Sequence, residues 1–263
     1  MNLWRSITAL FEYLLCLFRL GLQCLYWIAI APFEKGRRPS YRSTVHHLVF
    51  AGVNSLPILF LILLLVGMIL AYNSAYQLKK LGIMSLVPGL VGVAMTREIG
   101  PLLTAIVISA RVGASYTAEL GTMRVSEEIL ALDTLAINPV RFLVVPRLIA
   151  MVILFPLVMT CANCVGMLGG MLVGWLNLGL SPEVYYQYTF DNLVQRDLTV
   201  GLIKSFFFAV IIILVSCHEG LAVIGGAEGV GRATTRSVVN SIVLVITANL
   251  FFAAFFFLQE QWI

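Results

Sequence analysis

The fold class predicted for this 263-residue sequence is an all-α integral membrane protein, with five transmembrane helices preceded by an N-terminal interfacial amphipathic helix. Three observations predict it. The chain is 60% hydrophobic and 11% charged, far from soluble usage, so its apolar residues exceed what a core of this size can hide and lipid must be the solvent for most of it. The apolar residues gather in runs long enough to cross a bilayer. Lysine and arginine fall unevenly among the segments between those runs, as they do in membrane proteins of fixed orientation. These features exclude a cytosolic enzyme, a nucleic-acid binder and a disordered linker, and the net charge of +4 needs no acidic partner because basic flanks on bilayer spans account for it.

The elements follow in chain order, and the whole of 1–263 is read as one membrane domain. Within 1–45, Leu3, Trp4, Ile7, Leu10, Phe11, Leu14, Leu15, Phe18, Leu22 and Leu25 recur at three- and four-residue steps among Arg5, Glu12, Arg19 and Gln23. That pattern describes an interfacial helix; a true span over 14–31 is the alternative, at the cost of Arg19 and Gln23 in hydrocarbon. Apolar character runs on past residue 30 without a small-residue cleavage site, so no cleavable signal is expected. Pro32 and the basic run Lys35, Arg37, Arg38 and Arg42 are expected to end the helix and pin it to the cytoplasmic face.

Spans are expected at 48–71, 86–116, 146–178, 198–216 and 237–258. The first, with Asn54 its most polar member, measures about 36 Å as a helix and crosses with some tilt. The second is interrupted by Arg97, Glu98 and Pro101. The third carries Gly166, Gly170 and Gly174, small residues on one helical face that let another backbone approach, either within the chain or across a dimer. Residues 179–197 are polar and aromatic, and Tyr185, Tyr186, Tyr188 and Phe190 read as an interfacial belt. With the N-terminus inside, the cytoplasmic segments hold Arg5, Arg19, Lys35, Arg37, Arg38, Arg42, Arg124, Arg141, Arg147, Arg232 and Arg236, whereas the opposite side holds Lys79, Lys80 and Arg196. The N-terminus is therefore expected in the cytoplasm with 117–147, and the C-terminus outside.

Chemistry inside the chain is not expected. No lysine follows a glycine, so there is no phosphate-cradling loop, and the stretch from Gly225 to Gly231 reads as a flexible turn. His46, His47 and His218 fall in interfacial stretches and form no credible triad. Cys161 and Cys164 have no neighbouring histidine or carboxylate and read as packed small residues instead of metal ligands. The cytoplasmic stretch differs in character. Ser126 is a fair N-cap, Glu127 and Glu128 suit the first turn of a helix, and Ile129, Leu130 and Leu132 give it an apolar side before Asp133, with Asn138-Pro139 ending the excursion. Such a helix is suited to a groove in a soluble partner; it also suits a plain turn between spans.

Several of these residues carry a resemblance. Arg97-Glu98-Ile99-Gly100-Pro101, Ala118-Glu119-Leu120-Gly121-Thr122-Met123-Arg124 followed by Ser126-Glu127-Glu128, Asn138-Pro139, and Ala233-Thr234-Thr235-Arg236 resemble, in order and spacing from about residue 40 to the C-terminus, the permease family typified by MlaE, also called YrbE. The resemblance implies a permease subunit of a phospholipid ABC transporter of the bacterial inner membrane, working as a homodimer. The partners it implies are cytoplasmic ATPase subunits, which bind ATP and magnesium that this chain does not, a periplasmic ring of Mce-domain lipid-binding proteins, and a small cytoplasmic STAS-domain regulator. On that template Glu127, Glu128, Ile129, Leu130, Leu132 and Asp133 form a coupling helix seated on the ATPase, and Leu70, Tyr72 and Tyr76 fall near the lipid cavity.

Arg97 and Glu98 sit near mid-membrane, where a lone arginine costs roughly 3 kcal/mol on insertion scales, so a partner or a wet cavity is expected. Lys204, in the fourth span, is a candidate partner for Glu98. Together the three are expected to form a polar floor beneath an acyl-lined cavity, or alternatively a structural network with Lys204 snorkelling outward. A proton-coupled secondary transporter and a non-transporting scaffold stand as rival readings of the whole chain.

Overall fold

The computed structural model describes residues 2–30, 41–52 and 55–260. Eleven helices and four short 3-10 or π turns account for nearly all of them, and there is no strand among the described residues. In order these are α1 Asn2–Ile30, α2 Tyr41–Gly52, α3 Leu56–Leu81, α4 Val87–Ala94, α5 Gly100–Ile108, α6 Ala114–Val125, α7 Glu128–Thr134, α8 Val145–Asn177, α9 Pro182–Asn192, α10 Gln195–Leu221 and α11 Gly226–Glu260. A 3-10 turn, Met84–Leu86, leads into α4, and π-turns at Met95–Ile99, Ser109–Gly113 and Val140–Val144 join α4 to α5, α5 to α6, and the end of the α7 excursion to α8. Among the described residues, six helical stretches are long and apolar enough to cross a membrane: Phe11–Ala29, Leu56–Leu81, Met84–Val125, Val140–Asn177, Gln195–Leu221 and Gly226–Gln259. The last five are the expected spans, and the first is the helix read as interfacial.

Their bounds differ from the expected ones for local reasons. Span one begins at Leu56 and not at 48, because Pro57 occupies the first helical turn, where its missing N–H costs nothing, while residues up to Gly52 belong to α2. It runs on to Leu81, taking in Tyr72, Tyr76, Lys79 and Lys80, and stops where Gly82 turns left-handed at φ 72°. Span two extends to Val125, a contour of about 63 Å for its 42 residues, twice a hydrocarbon core. The stretch from Gly226 to Gly231, expected as a flexible turn, opens α11; only Gly225 and Gly226 have positive φ. Asn54 and the basic run Lys35, Arg37 and Arg38 with Pro32 lie outside the described residues, as do the side chains of Arg42 and His46.

The chain divides into two compact units, each assembled from segments far apart in sequence. Unit 1 comprises Met1–Ala51, Ser109–Val152 and Ala209–Leu244. In it α1 is docked through Leu17, Leu20 and Cys24, all buried, while Phe11, Phe18 and Leu25 on its other side are exposed. Tyr13 meets the His218 ring edge-on and accepts a hydrogen bond from Asn240 Nδ2 at 3.3 Å; Arg141 lies over Trp27. His47, expected at an interface, is buried against the Tyr116 ring. The centre of the unit is polar: Thr117 Oγ1 is 3.0 Å from the Ser216 carbonyl and 2.7 Å from Ser237 Oγ, joining α6, α10 and α11. Buried hydroxyls of this kind satisfy one another where no water competes.

Unit 2 comprises Gly52–Ile108, Ile153–Phe208 and Val245–Ile263. Here α3 crosses α8 so closely that a Cβ on Gly67 would stand 1.8 Å from the Gly166 carbonyl, and one on Gly169 would stand 2.2 Å from that of Leu64. The glycine face of α8 is thus filled from within the chain. Gly166 takes the Met95 side chain, and Gly170 and Gly174 take the Tyr185 ring. Of the two roles expected for those three glycines, the one the structure shows is packing within the chain. Tyr185 accordingly leaves the expected aromatic belt: it is buried on the inner side of α9, whose Ser181 N-cap accepts from the Val184 N–H at 3.3 Å. Burial pushes its phenol well above the usual tyrosine range. Tyr186, Tyr188 and Phe190 remain exposed.

Candidate functional site

Four charges gather in unit 2 at the π-turn Met95–Ile99. Pro101 lies just beyond that turn and has no N–H to return to the preceding carbonyls, so a widened turn is an economical way to continue the helix past it. On α10, Asp197, Gly201 and Lys204 share one face at i, i+4 and i+7. Gly201 lets that face close on the turn, since a Cβ there would stand 2.4 Å from the Thr96 carbonyl. Adjacent side chains on the turn diverge, and each finds its own partner. Lys204 Nζ donates to Glu98 Oε1 at 2.5 Å, and Asn249 Nδ2 donates to Glu98 Oε2 at 3.2 Å. Arg97 Nη1 lies 3.5 Å from Asp197 Oδ1, whose other oxygen accepts from the Val194 N–H at 3.2 Å and caps the start of α10.

The four formal charges sum to zero, which is what makes them tolerable among apolar helices. Their exposures differ. The Lys204 side chain is 0% exposed, against 36% for Glu98 and 22% for Arg97. Lys204 meets its candidate partner, and the alternative in which it snorkels outward is not what the structure has: α10 carries the amine inward onto Glu98. In this conformation Arg97 and Glu98, and not Lys204, present the open edge of the quartet. An anion approaching that edge meets a guanidinium already paired with Asp197.

The other residues expected near a cavity keep different company. Tyr72 OH accepts from Asn177 Nδ2, Lys80 Nζ sits 4.4 Å above the Tyr76 ring, and Leu70 is half-buried on the same helix. Asp197 and Asn249 are not among the residues that the sequence singles out. Asn249 is a lone amide in an apolar run, which is itself a signal; Asp197 precedes the expected fourth span by one residue and carries none.

The second candidate site is α7 in unit 1. Ile129 is buried, whereas Leu130 is 54% exposed and Glu127, Glu128 and Asp133 all face out, with Leu132 half-buried. The expected Ser126 cap is corrected. Ser126 closes α6, its hydroxyl donating to Glu128 Oε1 at 3.0 Å, and Glu127 takes the N-cap position with φ 62°. The far end is held by a second left-handed residue, Ala136 at φ 56°: its N–H bonds the Asp133 carbonyl, and the Ile137 N–H bonds that of Leu132, the double bond of a Schellman motif. Two non-glycine residues in this region mark a helix held firmly at both ends. Asn138 Oδ1 then accepts from the Arg141 N–H and starts the return into α8.

Comparison with known proteins completes the picture. The family model described as Permease MlaE matches residues 44–255. A probable ABC transporter permease protein of Rickettsia felis is 38% identical over 222 residues, 84% of this chain and 86% of that one. Another from Synechocystis is 35% identical, covering 81% of each chain. The protein TRIGALACTOSYLDIACYLGLYCEROL 1, chloroplastic, of Arabidopsis thaliana is 34% identical over 82% of this chain and 62% of its own length. The all-helical, multi-pass chain described above belongs to the MlaE permease family.

Proposed function

We propose that this chain is the permease subunit of an ABC transporter that moves phospholipid between the inner and outer membranes of a bacterium. A separate cytoplasmic ATPase, which binds ATP and magnesium, drives it. The observation that carries the reading is α7: a short helix with exposed Leu130 and flanking acids, fixed at both ends by left-handed residues. An apolar side chain held rigidly outward beside charges suits a groove on a soluble partner better than it suits lipid or water. The relatives' names agree in describing permeases of ABC transporters, and the chloroplast relative bears the name of a glycerolipid.

On this reading two copies of the chain sit in the inner membrane with N-termini in the cytoplasm and C-termini in the periplasm. Glu127, Glu128, Ile129, Leu130, Leu132 and Asp133 engage the ATPase. A periplasmic Mce-domain ring receives or delivers the lipid, and a small STAS-domain protein regulates the ATPase. Arg97 and Glu98, at the open edge of the neutral quartet, form a polar floor to the lipid path, while Tyr72 and Tyr76 stand nearer the acyl chains. The chain itself makes and breaks no bonds.

The test is purification with native partners, followed by transfer of a headgroup-labelled phosphatidylethanolamine from proteoliposomes. An ATPase present in two copies and transfer that requires ATP hydrolysis support the proposal. Flux driven by a proton gradient without nucleotide replaces it with a secondary transporter using the half-buried Glu98–Lys204 pair. A complex with no ATPase and no transfer leaves a scaffold.

A further inference from the structure

The ion pair that joins the two legs of α7 bears directly on how such a helix transmits force. The chain enters α7 through α6 and leaves it through the π-turn Val140–Val144 into α8. Arg147, on the first turn of α8, is 2% exposed, and its Nη2 lies 2.7 Å from Glu119 Oε1 on α6. Its Nη1 donates to the Leu143 carbonyl at 2.6 Å, in a turn made poor in donors by Pro146, and its guanidinium carbon lies 5.4 Å from the centre of the Tyr116 ring. One side chain thus binds the backbone of the outgoing leg, a carboxylate of the incoming leg and an aromatic face of that same leg.

The incoming leg is itself bolted to other helices. Thr117, two residues from Glu119, reaches Ser216 and Ser237, and a Cβ on Gly220 would stand 2.8 Å from that of Leu120. The outgoing leg has its own anchors, with Leu143, Val144 and Val145 buried and Arg141 over Trp27 of α1, and Arg147 is the side chain that ties it by charge to α6.

We propose that Arg147 and Glu119 are positioning residues that clasp the legs of α7 into one rigid lever, so that a push on α7 moves α6 and α8 together. The clasp rests on the reading of α7 as the contact with an ATPase, and it adds a transmission step which that reading does not contain. Neither residue touches substrate or nucleotide.

Two measurements test it in the assembled complex with its native ATPase. The first is the distance distribution between nitroxides carried on a keto amino acid at Thr122 and Phe142, both exposed, which leaves the five native cysteines in place. In complexes that pair one labelled with one unlabelled copy of the chain, wild type is expected to give one narrow distance and Glu119→Gln a broad one. An unchanged distribution overturns the clasp, whatever the complex transports. The second is labelled phosphatidylethanolamine transferred per ATP hydrolysed, from vesicles of phosphatidylethanolamine and phosphatidylglycerol. In Glu119→Gln this ratio is expected to fall at least about fivefold, the lower end of ordinary coupling between sites, with ATP hydrolysis retained, and the reciprocal pair Glu119→Arg with Arg147→Glu is expected to regain part of it. An unchanged ratio overturns the clasp. A wild-type complex that hydrolyses ATP and moves no lipid overturns the transport reading instead, and the nitroxide distances still decide the clasp. Glu119→Gln is the primary variant because Glu119 is about half-exposed and its loss leaves Arg147 the Leu143 carbonyl, so the chain is expected to fold.

Discussion

The charge quartet of unit 2 and the acids of α7 in unit 1 make a useful contrast. At the π-turn Met95–Ile99, Glu98 and Asp197 face Lys204 and Arg97 within the chain, and the desolvation of each ion is offset by its partner. On α7, Glu127, Glu128 and Asp133 face outward, and an apolar residue, Leu130, stands exposed beside them. The same residue type has opposite consequences. A carboxylate paired within the chain tells of its internal partner and is sensitive to that partner's loss; an outward one beside an exposed leucine leaves a surface open to a partner outside the chain. Stability measurements should report on the first region, and binding measurements on the second.

The largest expected effect breaks the quartet on one side only. Glu98→Ala leaves the Lys204 amine fully buried with no carboxylate, and is expected to cost about 3 to 5 kcal/mol, read as a fall in the thermal midpoint of the detergent-solubilised complex. If the drop is negligible, Lys204 is not the buried partner described here. Replacing both, Glu98→Met with Lys204→Met, is expected to recover most of that loss, because a packed apolar pair of similar volume avoids desolvation altogether. Arg97→Gln should cost less, about 1 to 2 kcal/mol, since its pair with Asp197 is longer and part of its side chain already meets the surface.

Leu130→Ala reverses the pattern. It should change stability by under about 0.5 kcal/mol, as exposed substitutions do, yet reduce capture of the ATPase in a pull-down. Equal capture would place the contact elsewhere. The smallest effect is expected from Ala136→Gly, which relieves a left-handed conformation at the end of α7 and should stabilise by up to about 1 kcal/mol; a fall in stability would mean that the φ of 56° is not kept in solution.

Much of this was legible in the residues. The runs that became α3, α8, α10 and α11 announce themselves, because apolar length is a local property and lipid rewards it directly. Glu98 and Lys204 could be matched as candidates since each was costly alone. The bounds were less accessible: Tyr72 to Lys80 looked like a loop but continues α3, as no breaker intervenes before Gly82. The cap of α7 fell at Glu127 instead of Ser126, a choice set by the left-handed entry to the helix and not by side-chain preference.

Tertiary structure alone decided who meets whom. The glycines at 166, 170 and 174 promised a close approach, but Leu63, Met95 and Tyr185 are what fill it. Arg147 looked like one of many basic residues at a span end, and instead lies buried against Glu119, Tyr116 and the Leu143 carbonyl. Hydropathy, propensity and charge cost are properties of a residue and its near neighbours, so the sequence determines by itself that this chain lives in a membrane and which runs become its spans, though not where each helix begins and ends. Pairing across 106 positions, as between Glu98 and Lys204, depends on how the helices lie against each other, and only the packed structure settles that.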